Sequence, residues 1–253
     1  MGDSVIGAQL FTVREFTQTP ADIAKTIKKL SKIGYKAVQV SGAGPMDPKE
    51  LRRILDGEGV KCAATHVGFE QLRDNLDKVA EEHAILGCTY PAIGGMPGEY
   101  RSGDGYLRFA KDASKVADNM ARRGLTFGYH NHSFELEKFG GRAGLDILIA
   151  ESSKAVTFEI DTFWIQHGGG DPVAWINKVK GRIPLLHLKD MGIVNGQQVM
   201  TEVGEGNLEW PAILEAAREA GTIWYLVEQD TCQPPWPPRG WRATRGCPRR
   251  PRS

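Results

Sequence analysis

The residues best suited to chemistry in this sequence are acidic and imidazole side chains that end short apolar runs. Asp161 ends VTFEID, and Glu228 follows the apolar part of IWYLVEQD. His187 and Lys189 stand in PLLHLKD. Burying such groups together is costly unless they bind a metal ion or one another. Carboxylates with an imidazole form a mixed oxygen and nitrogen ligand set suited to Mn²⁺, Mg²⁺, Co²⁺ or Zn²⁺, so these runs indicate metal chemistry.

A further stretch, GYHNHSFEL at residues 128–136, contributes His130, His132 and Glu135. Two histidines two positions apart on one strand could both bind a metal ion. Alternatively, the histidines hydrogen-bond a substrate while Glu135 reaches the ion. The alternation of inward and outward residues along a strand leaves both interpretations open.

A closed barrel of parallel strands would bring these groups together, because catalytic residues gather at the carboxyl ends of barrel strands. Short β-branched or apolar runs alternate with amphipathic segments, which indicates βαβ units. The predicted strands are residues 5–10, 37–41, 61–66, 90–93, 126–132, 156–161, 184–189 and 223–228. With apolar neighbours facing outward, the inward residues on strands five to eight include His130, Asp161, His187 and Glu228.

Helices with recognisable ends connect these strands. PADIAKTIKKLSKIG begins at Pro20 and ends at Gly34, DPVAWINKVKG begins at Asp171 and ends at Gly181, and WPAILEAAREAG ends at Gly221. Eight strands with helical crossovers predict an α/β fold, the (β/α)8 TIM barrel. A doubly wound sheet is disfavoured because the first strand is followed by FTVREFTQTP, which has no glycine.

The tail departs from this pattern. We expect one barrel domain over residues 1–232 and a Pro/Arg/Gly-rich tail over residues 233–253, with the eighth helix missing or replaced. The tail is interpreted either as disordered or as the product of a coding-frame error. We favour the frame error because degenerate codons for PPWPP and RGWRA permit a Leu- and Ala-containing sequence in another frame.

Composition limits the function classes. The formal net charge of the 253 residues is +1, so no basic field attracts nucleic acid, and no apolar run is long enough to span a membrane. The stretch MGDSVIGAQLFTVR has no basic region before an apolar core, so we expect no signal peptide. The four cysteines form no CxxC pair, which fits reduced thiols. We therefore expect a cytoplasmic protein without nucleic-acid or membrane partners.

The ordered motifs YHNHSFEL, EIDTFWIQHGGGDP, LLHLKDM, VGEGNLEW and YLVEQD resemble the xylose-isomerase-like sugar isomerase/epimerase superfamily of metal-dependent TIM barrels. The resemblance covers residues 5–232. It implies a divalent cation, with Mn²⁺ as the first choice, held by Glu135, Asp161, His187 and Glu228. His130 is the alternative to Glu135, because epimerases of the superfamily carry their glutamate inside the strand. Related barrels often pair, so a homo-oligomer is also expected.

The resemblance further implies proton transfer beside a sugar carbonyl, through an enediolate, with Glu135 and Glu228 as acid–base pair. Lys189 would hydrogen-bond the oxyanion; the competing interpretation is an ion pair with Glu159 or Asp190. The remaining substrate-binding candidates are His66, His130, His132 and Trp164. HGGGDP joins strand six to a helix, and residues 189–207 contain no compact glycine-rich turn, so we expect a non-phosphorylated sugar.

The leading functional hypothesis is an isomerase or epimerase of a free sugar or keto-sugar. A keto-sugar or inosose dehydratase or lyase with the same metal site is the alternative. An abasic-site endonuclease is disfavoured because the chain has six histidines and no basic excess. An inactive sugar-binding homologue is the non-enzymatic alternative.

Overall fold

Eight short parallel strands close into a barrel in the computed structural model, which describes residues 5–232. The strands are β1 (Val5–Gln9), β2 (Ala37–Val40), β3 (Lys61–His66), β4 (Pro91–Ile93), β5 (Gly128–His130), β6 (Thr157–Asp161), β7 (Leu185–Leu188) and β8 (Trp224–Val227). Each strand pairs with the next along the chain, and β8 pairs with β1 through Trp224 and Val5. The predicted TIM barrel is confirmed.

Helices surround the barrel. They are α1 (Pro20–Ile33), α2 (Pro48–Gly57), α3 (Phe69–Asp74), α4 (Leu76–Leu86), α5 (Gly103–Ala121), α6 (Gly144–Glu151), α7 (Thr162–His167), α8 (Pro172–Lys178) and α9 (Trp210–Ala220). Short 3₁₀ turns cover Leu10–Phe16, Gly98–Tyr100 and Phe134–Leu136.

The three helices predicted from their end signals are all present. Thr19 caps α1 by accepting the backbone N–H of Asp22, and Gly34 follows its last residue. Gly221 ends α9 with a φ of 93°, a left-handed conformation that glycine adopts without strain. Only α8 ends earlier than expected, at Lys178.

A β-hairpin follows β7 and was not predicted. Its strands, Asp190–Val194 and Gln197–Thr201, are joined by Asn195 and Gly196 at φ values of 50° and 77°. Positive φ at both turn residues gives the twist that a two-residue hairpin requires. A smaller hairpin pairs Lys138–Phe139 with Arg142–Ala143.

The alternation of residues along the strands divides the core into two regions, as predicted. Outward residues such as Phe127, Tyr129 and Phe158 pack against the helices. Small and aliphatic side chains form an interior cluster at one end of the barrel, which we call the floor: Ala37, Ala63, Ala64, Leu185 and Leu226. A Cβ on Gly7 would lie 2.9 Å from Leu226 Cδ2, so the strands and the floor leave no space there.

Within residues 5–232 no helix follows β8, and Ile6 on β1 is 58% exposed. The proposed tail, residues 233–253, lies outside the described residues. Cys62 and Cys88 are free and buried, as expected for reduced thiols. In the described part of the chain, no helix has the length and apolar character needed to cross a membrane.

Candidate functional site

Four buried side chains converge inside the barrel, at the carboxyl ends of its last four strands. His130, Asp161, His187 and Glu228 each offer one ligand atom, and these atoms all lie within 4.8 Å of one another. We call these residues the four-residue group. Parallel strands with inward residues in register explain the convergence, since His130 pairs with Glu159, and Asp161 with His187, across neighbouring strands.

Asp161 has a separate role for each carboxylate oxygen. Oδ1 accepts the backbone N–H of Trp164 at 3.0 Å and caps α7. Oδ2 faces the group, 3.3 Å from His130 Nε2 and 3.7 Å from His187 Nδ1. Burial alone would raise the pKa of Asp161, but the Lys189 charge and the two histidines hold it well below its usual range.

His187 and Glu228 are hydrogen-bonded within the group. His187 Nδ1 lies 2.8 Å from Glu228 Oε2. Burial opposes the charged form of both residues, yet the carboxylates of Glu159 and Glu228 raise the pKa of His187. Against the same effect of burial, His187 and Lys189 lower the pKa of Glu228 to about 2. The positive charges of His187 and Lys189 therefore keep the buried Glu228 carboxylate ionised.

Lys189 lies beside the four-residue group, nearly fully buried. Its Nζ lies 2.7 Å from Asp230 Oδ2, 3.1 Å from Glu228 Oε2 and 3.4 Å from Asp161 Oδ2. These carboxylates outweigh burial and raise the pKa of Lys189. The ion pair considered as an alternative role therefore exists, but with different partners: neither Glu159 nor Asp190 forms it.

Glu135 lies outside the four-residue group. Its carboxylate is buried and accepts the Tyr129 hydroxyl at 2.8 Å and the His132 backbone N–H at 2.9 Å. The 3₁₀ turn at Phe134–Leu136 places it there, so the side chain stabilises the loop after β5. Burial raises the pKa of Glu135. His130, the alternative ligand, takes the fourth position in the group.

A hydrogen-bonded layer lies against the group on its β1 and β2 side. Gln9 Nε2 donates to Gln39 Oε1 at 2.8 Å, and Gln39 Nε2 donates to Glu159 Oε1 at 2.8 Å. Glu159 Oε2 lies 2.7 Å from His66 Nε2. Burial alone would raise the pKa of Glu159, but His187 and His66 hold it well below its usual range. The functional prediction did not include Gln9 and Gln39, although polar residues at inward positions of β1 and β2 were a usable signal.

His66 is part of this layer and borders the group. Its ring centroid lies 5.4 Å from that of His130 and 5.8 Å from that of His187. Its Nδ1 lies 3.1 Å from Ser41 Oγ, so both ring nitrogens already face protein groups. Substrate binding by His66 stays a prediction.

Three buried polar atoms near the group have no hydrogen-bond partner among the described residues: His132 Nδ1, Trp164 Nε1 and Asp230 Oδ1. The rings of His132 and Trp164 lie 5.3 Å apart, and Lys189 Nζ lies 5.1 Å from the Trp164 ring. We call His132, Trp164 and Asp230 the rim. Buried polar atoms in proteins are nearly always paired, so the rim suits a polar ligand.

The order of these groups along the chain matches a known family. A sequence profile described as "Xylose isomerase-like TIM barrel" matches residues 27–247. The chain belongs to this family. The resemblance seen in the strand-end motifs is thereby confirmed.

Curated relatives and solved structures are similar to this xylose isomerase-like barrel over most of its length. An inosose dehydratase of Lacticaseibacillus casei is 24% identical over 246 residues, covering 81% of each chain. The rhizopine catabolism protein MocC of Rhizobium meliloti is 21% identical, covering 83% of this chain and 76% of that protein. A sugar phosphate isomerase/epimerase of Parabacteroides distasonis has a TM-score of 0.76 at 21% identity, covering 93% and 90%.

The donor atoms of this xylose isomerase-like barrel fit a divalent cation. His130 Nδ1 lies 3.3 Å from the Gly94 carbonyl oxygen, which can only accept, so Nε2 is the nitrogen left to face the group. Two imidazoles and two carboxylates suit Zn²⁺, Co²⁺ or Mn²⁺. Burial of four such groups in one place is also the arrangement that metal binding makes favourable.

Proposed function

We propose that the chain is a divalent-metal-dependent enzyme that removes a proton beside the carbonyl of a non-phosphorylated keto-sugar or keto-polyol. The observation that carries this proposal is the four-residue group, whose ligand atoms lie within 4.8 Å of one another. His130 replaces Glu135 in the proposed ligand set, because the carboxylate of Glu135 is hydrogen-bonded to the loop.

A cation held by this group would polarise a carbonyl oxygen and acidify the neighbouring C–H. Lys189 is placed to donate a hydrogen bond to the oxygen that gains negative charge, because its Nζ lies between Asp161 and Glu228. Asp230 holds the ammonium at 2.7 Å and keeps it oriented. Glu228 is the carboxylate best placed to take the proton.

The rim supports a polyhydroxylated ligand. Trp164 Nε1 can only donate and the Asp230 carboxylate can only accept, so together they suit hydroxyl groups, which do both. His132 adds a third atom, and burial together with His130 lowers its pKa to about 3, so it stays neutral. A phosphate is disfavoured because three carboxylates surround Lys189.

Elimination of a β-hydroxyl is the outcome that the geometry supports best. Glu228 would take the proton beside the carbonyl while Lys189 stabilises the oxyanion, and the protonated Glu228 would then give that proton to the departing β-hydroxyl, which leaves as water. The curated relative named inosose dehydratase agrees with this reaction. Isomerisation or epimerisation is the function first expected from the motifs. Epimerisation needs a second proton carrier on the opposite face, and Glu135 is turned away. His132, with its unpaired Nδ1, supports that second candidate.

The test begins with metal analysis of the purified protein, followed by incubation with a keto-inositol and with ketohexoses in D₂O, with and without Mn²⁺. Elimination would produce an unsaturated ketone absorbing in the ultraviolet. Epimerisation would place deuterium in a product of unchanged formula. Asp161→Asn should abolish turnover, whereas Lys25→Ala, an exposed control, should not. Absence of bound metal, or full activity in Asp161→Asn, would refute the proposal.

A further inference from the structure

The orientation of the Gln39 amide follows from its neighbours. Its Nε2 lies 2.8 Å from Glu159 Oε1, and its Oε1 lies 2.8 Å from Gln9 Nε2. The flipped amide would set an oxygen against the carboxylate of Glu159 and two amide nitrogens against each other. The orientation with Nε2 on Glu159 is therefore the one that satisfies both contacts.

This orientation leaves the Gln39 oxygen facing His187. Gln39 Oε1 lies 2.7 Å from His187 Nε2, and Glu159 Oε1 lies 3.2 Å from the same nitrogen. An amide oxygen can only accept, so His187 Nε2 must carry a hydrogen. The other ring nitrogen, Nδ1, faces a Glu228 carboxylate oxygen, which also only accepts, so without a cation both nitrogens carry a hydrogen. A cation would displace the Nδ1 hydrogen, because the Nε2 hydrogen is held by Gln39.

His187 Nδ1 is the nitrogen inside the four-residue group, 2.8 Å from Glu228 Oε2 and 3.7 Å from Asp161 Oδ2. We propose that Gln39, oriented by Glu159, is a positioning residue that keeps the proton of His187 on Nε2 and so presents Nδ1 as the ligand. The role of Nδ1 as a ligand rests on the metal-binding part of the proposed function. The Nε2 proton itself is measurable without metal.

The same contacts argue against a second metal site in the layer. His66, Glu159 and His187 also have ligand atoms within 4.8 Å of one another. A second cation there would need the lone pair of His187 Nε2, which the bond to Gln39 excludes. All three residues already have hydrogen-bond partners. The layer thus positions the first ion and does not hold a second one.

The test compares Gln39→Met with Gln9→Met. Both remove one amide from the layer, but only the first removes the acceptor of His187 Nε2. Binding of Zn²⁺ is measured by calorimetry, and the protonation of His187 by nitrogen-15 NMR of the imidazole. Because an outer hydrogen bond to a ligating histidine typically changes metal affinity by roughly 10- to 100-fold, Gln39→Met should weaken Zn²⁺ by that factor. Gln9→Met should stay within about threefold, since the bond to His187 remains.

In wild-type protein the Nε2 proton of His187 should be present and slow to exchange, with and without Zn²⁺, and Gln39→Met should lose that protection. Urea denaturation of both variants separates a local effect from unfolding. The proposal is overturned if Gln39→Met binds Zn²⁺ as wild type does, if wild-type His187 lacks an Nε2 proton, or if a second Zn²⁺ binds while Gln39 is present. Failure of wild type to bind Zn²⁺ would remove the proposed function, and the metal-free spectra of wild type and Gln39→Met would still show whether Gln39 holds the Nε2 proton.

Discussion

Two sets of polar side chains share the barrel interior, and they differ in how completely the protein itself satisfies them. The layer of Gln9, Gln39, Glu159 and His66 is linked by hydrogen bonds of 2.7 to 2.8 Å. The rim, in contrast, has one unpaired atom on each of its three residues, among the residues the structure describes. Since buried polar groups are normally paired, the layer has the properties of a support and the rim those of a binding surface.

The largest expected effect is on the layer. Glu159→Ala removes the common acceptor of Gln39 and His66 and leaves both donors buried without a partner. We expect a loss of about 3 to 5 kcal/mol in the free energy of unfolding, measured with urea. Glu159→Gln, which keeps one acceptor oxygen, is the control and should lose less. A loss below about 1 kcal/mol in Glu159→Ala would contradict the supporting role.

Asp161→Asn tests the four-residue group itself. Zn²⁺ or Mn²⁺ affinity should fall at least about 100-fold, because a charged ligand is lost. The free energy of unfolding should also fall, because asparagine still accepts the N–H of Trp164 but lacks the negative charge that faces the buried Lys189. Calorimetry and thermal melting measure the two effects. A large drop in melting temperature with unchanged metal affinity would indicate that Asp161 supports the fold, as the layer does, and does not bind the metal.

The rim should respond in the opposite way. Trp164→Phe removes the indole N–H and keeps an aromatic ring, so the KM for a keto-polyol should rise about 5- to 30-fold while metal affinity and stability stay unchanged. His132→Phe should act similarly. Steady-state kinetics and metal titration check both variants. Weaker metal binding in either would erase the distinction between the rim and the four-residue group.

The smallest effect is expected at Glu135. Glu135→Gln retains an oxygen for the Tyr129 hydroxyl or the His132 N–H, so the free energy of unfolding should fall by about 1 kcal/mol or less. Zn²⁺ affinity should stay within about threefold of wild type. A loss near 100-fold would restore Glu135 as the ligand in place of His130. Titration of both variants, Glu135→Gln and His130→Ala, measures this directly.

The sequence predicts the barrel well because each strand is a short run that is buried on both faces, against the helices and inside the barrel. It predicts strand ends less well. The run at residues 126–132 gives only Gly128–His130 as strand, and the chain beyond it leads into the 3₁₀ turn at Phe134–Leu136. The hairpin at Asp190–Val194 was missed because its first three residues are all buried and show no alternation, although Asn195 and Gly196 are a hairpin signal.

For the site, the inward positions of Asp161, His187 and Glu228 followed from strand alternation and hold in the structure. The position of Glu135 could not follow, because alternation ends with the strand and a 3₁₀ turn aims its side chains differently. Partners of Lys189 depend on how strands seven and eight are staggered, which no local pattern encodes. Asp230, which lies 2.7 Å from its ammonium, comes two residues after Glu228.

The floor of Leu185, Leu226 and small residues has a kinetic consequence. It closes the barrel beneath the polar residues, so within the described chain water reaches Glu228 by way of the opposite end, where the rim lies. A substrate seated on the rim would block that route. A hydrogen taken by Glu228 would then exchange slowly with solvent, so unreacted substrate recovered from D₂O before the reaction is complete would contain no deuterium.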